Sequence, residues 1–255
     1  MKKRTITFGI ALSVILAGCQ EQENEQTMIS QKEQQVPVTA PVLEPIEEIQ
    51  APIISEEEAI QTLKFTLTSM QSIMYKLGED NGWDRREGTD PELTFSMVRE
   101  AIQHLATDEF IDRVVAEQYI GFYSSAKSFI PIDVNYDVRT TVKQDGDTLH
   151  LETFAAAWDY ENNGRWQTFD FVYNGEDWIL SNWDSRPLDN LALTVEEAEQ
   201  LTQERYENTD TNISYLGIDD SGDFYLFRIK TENNQDYIRA LNRDDTSNYY
   251  SDTSY

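Results

Sequence analysis

The chain has 255 residues, enough for one or two modest domains, and carries 47 Asp and Glu against 20 Lys and Arg. A net charge of −27 argues against nucleic-acid binding, which needs clustered cations, and against electrostatic attachment to an anionic membrane; any membrane hold must be covalent or apolar. Cys19 is the one cysteine, so no disulfide can form within the chain and stability must come from packing.

Residues 1–18 read as a signal peptide. "MKKR" is basic, and the apolar run from Thr5 to Leu16 is too short to span a bilayer comfortably. Leu16-Ala17-Gly18-Cys19 follows and resembles the lipobox of bacterial lipoproteins. The resemblance implies cleavage between Gly18 and Cys19 and a diacylglyceryl anchor, with palmitate-type chains, on Cys19. The protein would then face outward from the cell membrane, in a Gram-positive-like envelope. Two acyl chains suffice for stable attachment where one does not. Residues 19–54 read as a tether, first rich in Gln and Glu, then stiffened toward polyproline II by Pro37, Pro41, Pro45 and Pro52.

The folded part begins at residue 55. Ser55 and Glu58 form a capping box, and Ile60, Leu63, Leu67, Met70, Met74 and Leu77 mark one face of a helix that Gly78 should end. Trp83 lies in a polar loop. Asp90-Pro91 starts a second helix, with Phe95, Val98, Ile102 and Leu105 inward. Thr107 caps a third, apolar at Phe110, Ile111, Val114 and Val115, and Gly121 closes the region.

The period then changes to two. Asp145-Gly146, Asn163-Gly164 and Asn174-Gly175 are hairpin signals that divide residues 133–183 into four antiparallel strands. Two-residue turns there pair Val142 with Leu149, Trp158 with Phe169, Ala156 with Phe171, and Phe169 with Leu180. The first hairpin falls on the opposite parity from the rest. Either a β-bulge near Thr153 reconciles them, or the strand changes which face is covered. Leu149, Leu151, Phe154, Ala156, Trp158, Phe169, Phe171, Trp178 and Leu180 are then expected on one apolar face.

Helices followed by a bent meander make residues 55–190 an α+β domain. The order of elements resembles the cone-shaped nuclear transport factor 2-like fold; the endopeptidase inhibitors of bacilli share a helix-then-strands layout and are a second possible relative. Residues 191–243 form a smaller module: a Thr194–Glu197 capping box, a short helix and three strands. This layout resembles a PepSY-type module, a group found outside the cytoplasm beside peptidases or as small regulatory units. Residues 244–255 show no core pattern and are expected to fray.

Catalytic signals are weak. His104 and His150 are the two histidines. Neither stands near a G-x-S-x-G, and Ser124-Ser125 has no base nearby in sequence. No Cys/His cluster suggests zinc, and no cofactor is expected. Asp219–Asp223 ("DDSGD") is too short for a calcium loop and reads as a solvated turn. Asp108, Glu109 and Asp112 suit a helix N-terminus. On the second sheet face the register pairs Trp166 with Trp183 beside Asp159 and Asp170, among polar residues. These four residues are the candidate partner surface, unless the second module covers the tryptophans. The expected function is a non-enzymatic, lipid-anchored protein that binds an envelope protein or wall component. A small-ligand binder using the apolar cone is the alternative. A hydrolase would require a buried acid or base.

Overall fold

The computed structural model describes residues 50–83, 91–125, 134–157, 164–207, 209–232 and 235–252. Gly18, Cys19, Trp158, Asp159 and Asn163 lie outside the described residues, as do the signal segment and the tether through residue 49.

The fold is α+β, with helices N-terminal of two four-stranded antiparallel sheets. Helix α1 (Glu56–Asn81) begins at the expected capping box: Ser55 Oγ accepts from Glu58 N at 3.2 Å, and Ser55 N donates to Glu58 Oε2 at 2.7 Å. Leu63, Leu67, Met70 and Met74 form its buried stripe. The helix runs past Gly78 and stops at Gly82, which takes φ 64°. Gly82 N donates to Glu79 O and Trp83 N to Gly78 O, the paired bonds of a Schellman cap. Helix α2 (Pro91–Ile102) buries Val98 and Ile102. Helix α3 (Asp108–Phe110), capped by Thr107, continues through a π-helical turn (Ile111–Val115) into α4 (Ala116–Ser125). Gly121 is thus inside a helix and does not close one.

The first sheet has the order β1 (Thr141–Asp145), β2 (Thr148–Ala155), β3 (Arg165–Tyr173), β4 (Trp178–Pro187). Its register departs from the expected one because the turns differ. Asp145 faces Thr148, moving the turn to Gly146-Asp147 and pairing Val142 with Leu151. Tyr173 faces Trp178 across a four-residue turn, where Asn174 Oδ1 accepts from Glu176 N and Asp177 N. Ala155 faces Arg165, so Asn163-Gly164 is no two-residue hairpin. Leu149 therefore pairs with Phe171, and Leu151 with Phe169.

The pairing runs without a shift through Thr153; among the described residues the register of this sheet shifts instead between Asp170 and Phe171, opposite Ser181 in β4. The alternative reading holds at Thr153. Thr153 and Phe154 are adjacent, point to opposite faces and are both buried. One face carries Leu149, Leu151, Phe169, Phe171 and Leu180 against the helices. At the far end the other face is covered too. There Phe154, Ala156 and Val138 join Leu188, Leu191, Leu193 and residues of the second sheet in another core. Phe154 and Ala156 therefore leave the apolar face to which the expected register assigned them.

Helix α5 (Val195–Arg205) opens the C-terminal part, followed by β5 (Thr211–Ile218), β6 (Phe224–Thr231), β7 (Asp236–Asn242) and β8 (Asn248–Asp252) in that sheet order. Four strands stand where three were expected, because the supposed tail supplies β8. Its polar residues are what hold it. Thr246 Oγ1 accepts from Ala157 N at 2.8 Å, and Asn248 Nδ2 donates to Ala157 O at 2.7 Å. Gly164 N donates to Asp245 O at 2.7 Å. The connection at residues 188–194 is equally fixed. Leu191 N and Leu193 N donate to Asp244 O and Arg243 O, and the Arg139 guanidinium bonds the Leu191 and Ala192 carbonyls. The boundary placed at residue 190 crosses a shared core. The tether also ends earlier than residue 54, since the Gln144 amide bonds Pro52 O at 3.0 Å and Ile54 N at 3.2 Å.

Candidate functional site

Trp166 and Trp183, expected to share a partner surface, do not come together. Trp183 pairs with Phe169, and Trp166 with Phe154 and Arg186. The longer turn and the bulge move Trp183 by an odd number of positions relative to Trp166, so the two tryptophans face opposite sides of the sheet. Trp183 is half-buried against the first core and donates Nε1–H to Gln167 Oε1 at 2.8 Å. Trp166 is half-buried against the second core, edge to face with Phe154, with the Arg186 guanidinium 5.2 Å over its ring. Trp166 thus packs on the core that Phe154 shares with the C-terminal residues. Asp170 lies on the Trp166 side and belongs to a polar row. His150 Nδ1 is 2.6 Å from its Oδ1, and Asn182 Nδ2 donates to its Oδ2 at 3.0 Å. Arg113 donates to Asn182 Oδ1 at 2.7 Å. This row sits on an open sheet face and lines neither cleft described below. His104 is exposed. Asp219 closes the β5–β6 turn by accepting from Asp223 N and Phe224 N. Among the described residues no group of three or more His, Cys, Asp or Glu side chains could hold a metal.

Among the described residues, two solvent-open clefts lie outside the cores. One, of about 620 Å³, lies where the C-terminal end of α5 meets β5 and is lined by Asp137, Glu204 and Glu207 with amides and hydroxyls. Burial holds the Glu204 carboxyl above its ordinary range, reinforced by the charges of Asp137 and Glu207. The bonds that Asn135 and Gln200 donate to it pull the other way, at 2.7 and 3.2 Å. Carboxyl and amide groups here can accept from neutral or cationic donors and repel anions.

The other cleft, of about 430 Å³, opens at the C-terminal end of α1. Tyr75, Gly78 and Glu79 come from one face of the helix, at i, i+3 and i+4. The Schellman cap brings Trp83 back over the last turn. Phe122 and Tyr123 of α4 form the facing wall. The rings meet at steep angles: 64° between Tyr75 and Phe122, 78° between Trp83 and Tyr123, and 78° between Phe122 and Tyr123. Tyr123 is locked by its hydroxyl, which donates to Met74 O at 2.7 Å. Gly78 makes the site possible, since a Cβ there would lie 3.0 Å from the Tyr123 ring. In the sequence, Trp83 reads only as a loop residue. The available signal was the Gly78–Gly82–Trp83 ending of an otherwise apolar stripe; Phe122-Tyr123 carried none, because their positions depend on where α4 packs.

Comparison with protein-family models, with curated proteins and with solved structures finds no match for this chain.

Proposed function

We propose that this is an exported binding or regulatory protein, anchored to the outer face of the cell membrane through lipid on Cys19. It contacts an envelope protein or a cell-wall component and carries out no catalysis. The lipobox-like Leu16-Ala17-Gly18-Cys19 supports the anchor. The observation that carries the contact reading is the solvent-open cleft of Tyr75, Trp83, Phe122 and Tyr123. Aromatic rings held on rigid helices offer large contact area at little entropic cost. The resemblance to nuclear transport factor 2-like and PepSY-type modules agrees with a non-catalytic role outside the cytoplasm.

Two experiments test the proposal. Radiolabelled palmitate should enter the chain and be lost in Cys19→Ser; label that persists in the variant rejects the anchor. The lipidated chain should capture a specific envelope component at both low and high salt, and Trp83→Ala should abolish the capture. Capture that survives Trp83→Ala moves the contact site elsewhere. The second reading, small-ligand binding, also falls on this cleft. Its volume of about 430 Å³ suits a small molecule, whereas Phe169, Phe171 and Leu180 on the sheet face are core.

A further inference from the structure

We propose that β5 is a docking edge: an extended segment of a partner protein, alternating basic and apolar residues, adds to it as a further strand and sets its cations in the acidic cleft between β5 and α5. This surface is separate from the aromatic cleft at the end of α1.

The sheet edges are managed differently. An edge strand presents backbone N–H and C=O groups without ladder partners, and proteins blunt such edges with cover, charge or shortness. The β4 edge is covered: Thr107 N donates to Leu180 O and Leu180 N to Leu105 O, both at 2.9 Å. The β1 strand has five residues, carries Lys143 and Asp145, and has Gln144 bonded to the chain at Pro52 and Ile54. None of these devices appears at β5. Among the described residues it pairs with β6 alone. Its eight residues, Thr211–Ile218, include no charge, in a chain that is 26 % charged. The register shift after Tyr215 affects only the far end and leaves the run from Thr211 to Tyr215 regular. Ile213 and Tyr215 are half-buried, whereas Ile229 and Phe227, their partners one strand inward, are fully buried. An added strand would complete that cover.

Helix α5 borders the same edge. Glu196 and Glu199 lie close enough for their charges to act on the Tyr215 phenol. Further along, Gln203, Glu204 and Glu207 line the cleft together with Asp137 and the start of β5, Thr211 to Ile213. No Lys or Arg is among the lining residues, and the one guanidinium behind Tyr206, that of Arg239, is fully buried. Successive side chains of an added strand alternate between faces. Those toward α5 meet carboxylates, and those away from it meet the open side of β5, where Leu216 is 49 % exposed. Strand addition gains affinity from main-chain bonds and specificity from these alternate side chains. Acidic walls on a chain of −27 select cations. A second copy would bring its own uncharged β5 and another −27, and would leave the cleft carboxylates without a counter-charge.

Peptide titration at constant ionic strength, with hydrogen exchange to locate the site, tests this on the full-length chain carrying Cys19→Ser. The probe is a peptide the length of β5 that alternates Lys and Val. The controls are its Glu–Val counterpart and two N-methylated forms, each blocking the amides along one edge of the extended peptide. The Lys–Val peptide should saturate one site with a Kd at least about tenfold below that of the Glu–Val peptide. One N-methylated form should lose binding and the other keep it, because only one edge faces β5. Exchange should slow at the β5 amides that point away from β6. Glu199→Gln with Glu207→Gln should weaken the peptide about fivefold, and Trp83→Ala should leave it unchanged. Equal binding of both N-methylated forms overturns the proposal, since it places the peptide on the diffuse acidic surface. Protection that appears at the end of α1 and not at β5, or binding lost in Trp83→Ala, overturns it as well. So does protection of β5 that rises with protein concentration in the absence of peptide, which would make a second copy the occupant.

Discussion

At the scale of single residues, Gly164 shows why a turn signal can mislead. After an asparagine it reads as a hairpin glycine, yet its φ is not among the positive values. Its smallness serves close approach instead. A Cβ there would lie 2.2 Å from Thr246 Oγ1, 2.5 Å from Leu188 Cδ1 and 2.9 Å from Ala155 O. Gly164→Ala should therefore cost about 2–3 kcal/mol, read as a lower urea midpoint with unchanged slope; a neutral effect would mean that the junction yields easily. Tyr136 makes a pH-dependent contribution. Burial pushes its phenol up to about 12 from an ordinary 10.0. On alkalinisation the unfolded chain loses this proton first, so stability falls as pH rises from about 10 to about 12. Tyr136→Phe should flatten that decline in melting temperature. An equally steep decline in the variant would assign the effect to other tyrosines.

At the scale of elements, α5 carries two carboxyl groups with opposite behaviour. Glu197 completes the capping box with Thr194 and also takes two bonds from Arg139, at 2.6 and 2.7 Å. Those Arg139 bonds, aided by the Thr194 amide, hold its carboxyl below the ordinary 4.5. Its stabilisation is present above that value and is lost as pH falls through the lowered one. Glu204 is held above 4.5 by burial, so its contribution is fully present below 4.5 and is lost as pH rises through the raised value. Glu197→Ala should cost about 2 kcal/mol at neutral pH through loss of cap and clamp. Glu204→Gln should instead remove a stability gain on mild acidification, seen as a flatter melting-temperature profile as the pH falls from neutral toward the ordinary 4.5. If Glu204→Gln leaves the profile unchanged, the acidic cleft is better solvated than its burial implies.

At the scale of the whole molecule, the two sheets are not separable modules. Val138, Phe154 and Ala156 share a core with Leu193, Leu201, Phe227 and Ile229, and Thr246 and Asn248 bond across to Ala157. A chain stopping at Asp245 would lose β8 and leave the Ala157 N–H and C=O without the partners that Thr246 and Asn248 provide. Each buried group so orphaned costs about 1–3 kcal/mol. The melting temperature should fall by about 10 °C or more, in one transition that includes the first sheet. Loss confined to a second, separate transition would show that the two parts fold independently.

Local chemistry was legible where it is local. The Ser55 and Thr194 capping boxes, the Thr107 cap, the stripe of α1 and the change of period from helix to strand all depend on neighbours in sequence, and they stand as read. The α+β class follows from their order. Partner choice between distant residues was not legible. A turn longer by two residues and one bulge opposite Ser181 sent Trp166 and Trp183 to opposite faces, because a register error of odd length exchanges every side chain. The apparent tail became β8 because its polar atoms answer the backbone of Ala157, ninety positions earlier in rough terms. The aromatic cleft likewise exists only once α4 has packed against the end of α1. By itself, then, the sequence determined the caps, the buried stripe of α1 and the order of helices before strands. Tertiary structure decided which side chains share a surface, since a shared surface is set by packing between segments that no local period connects.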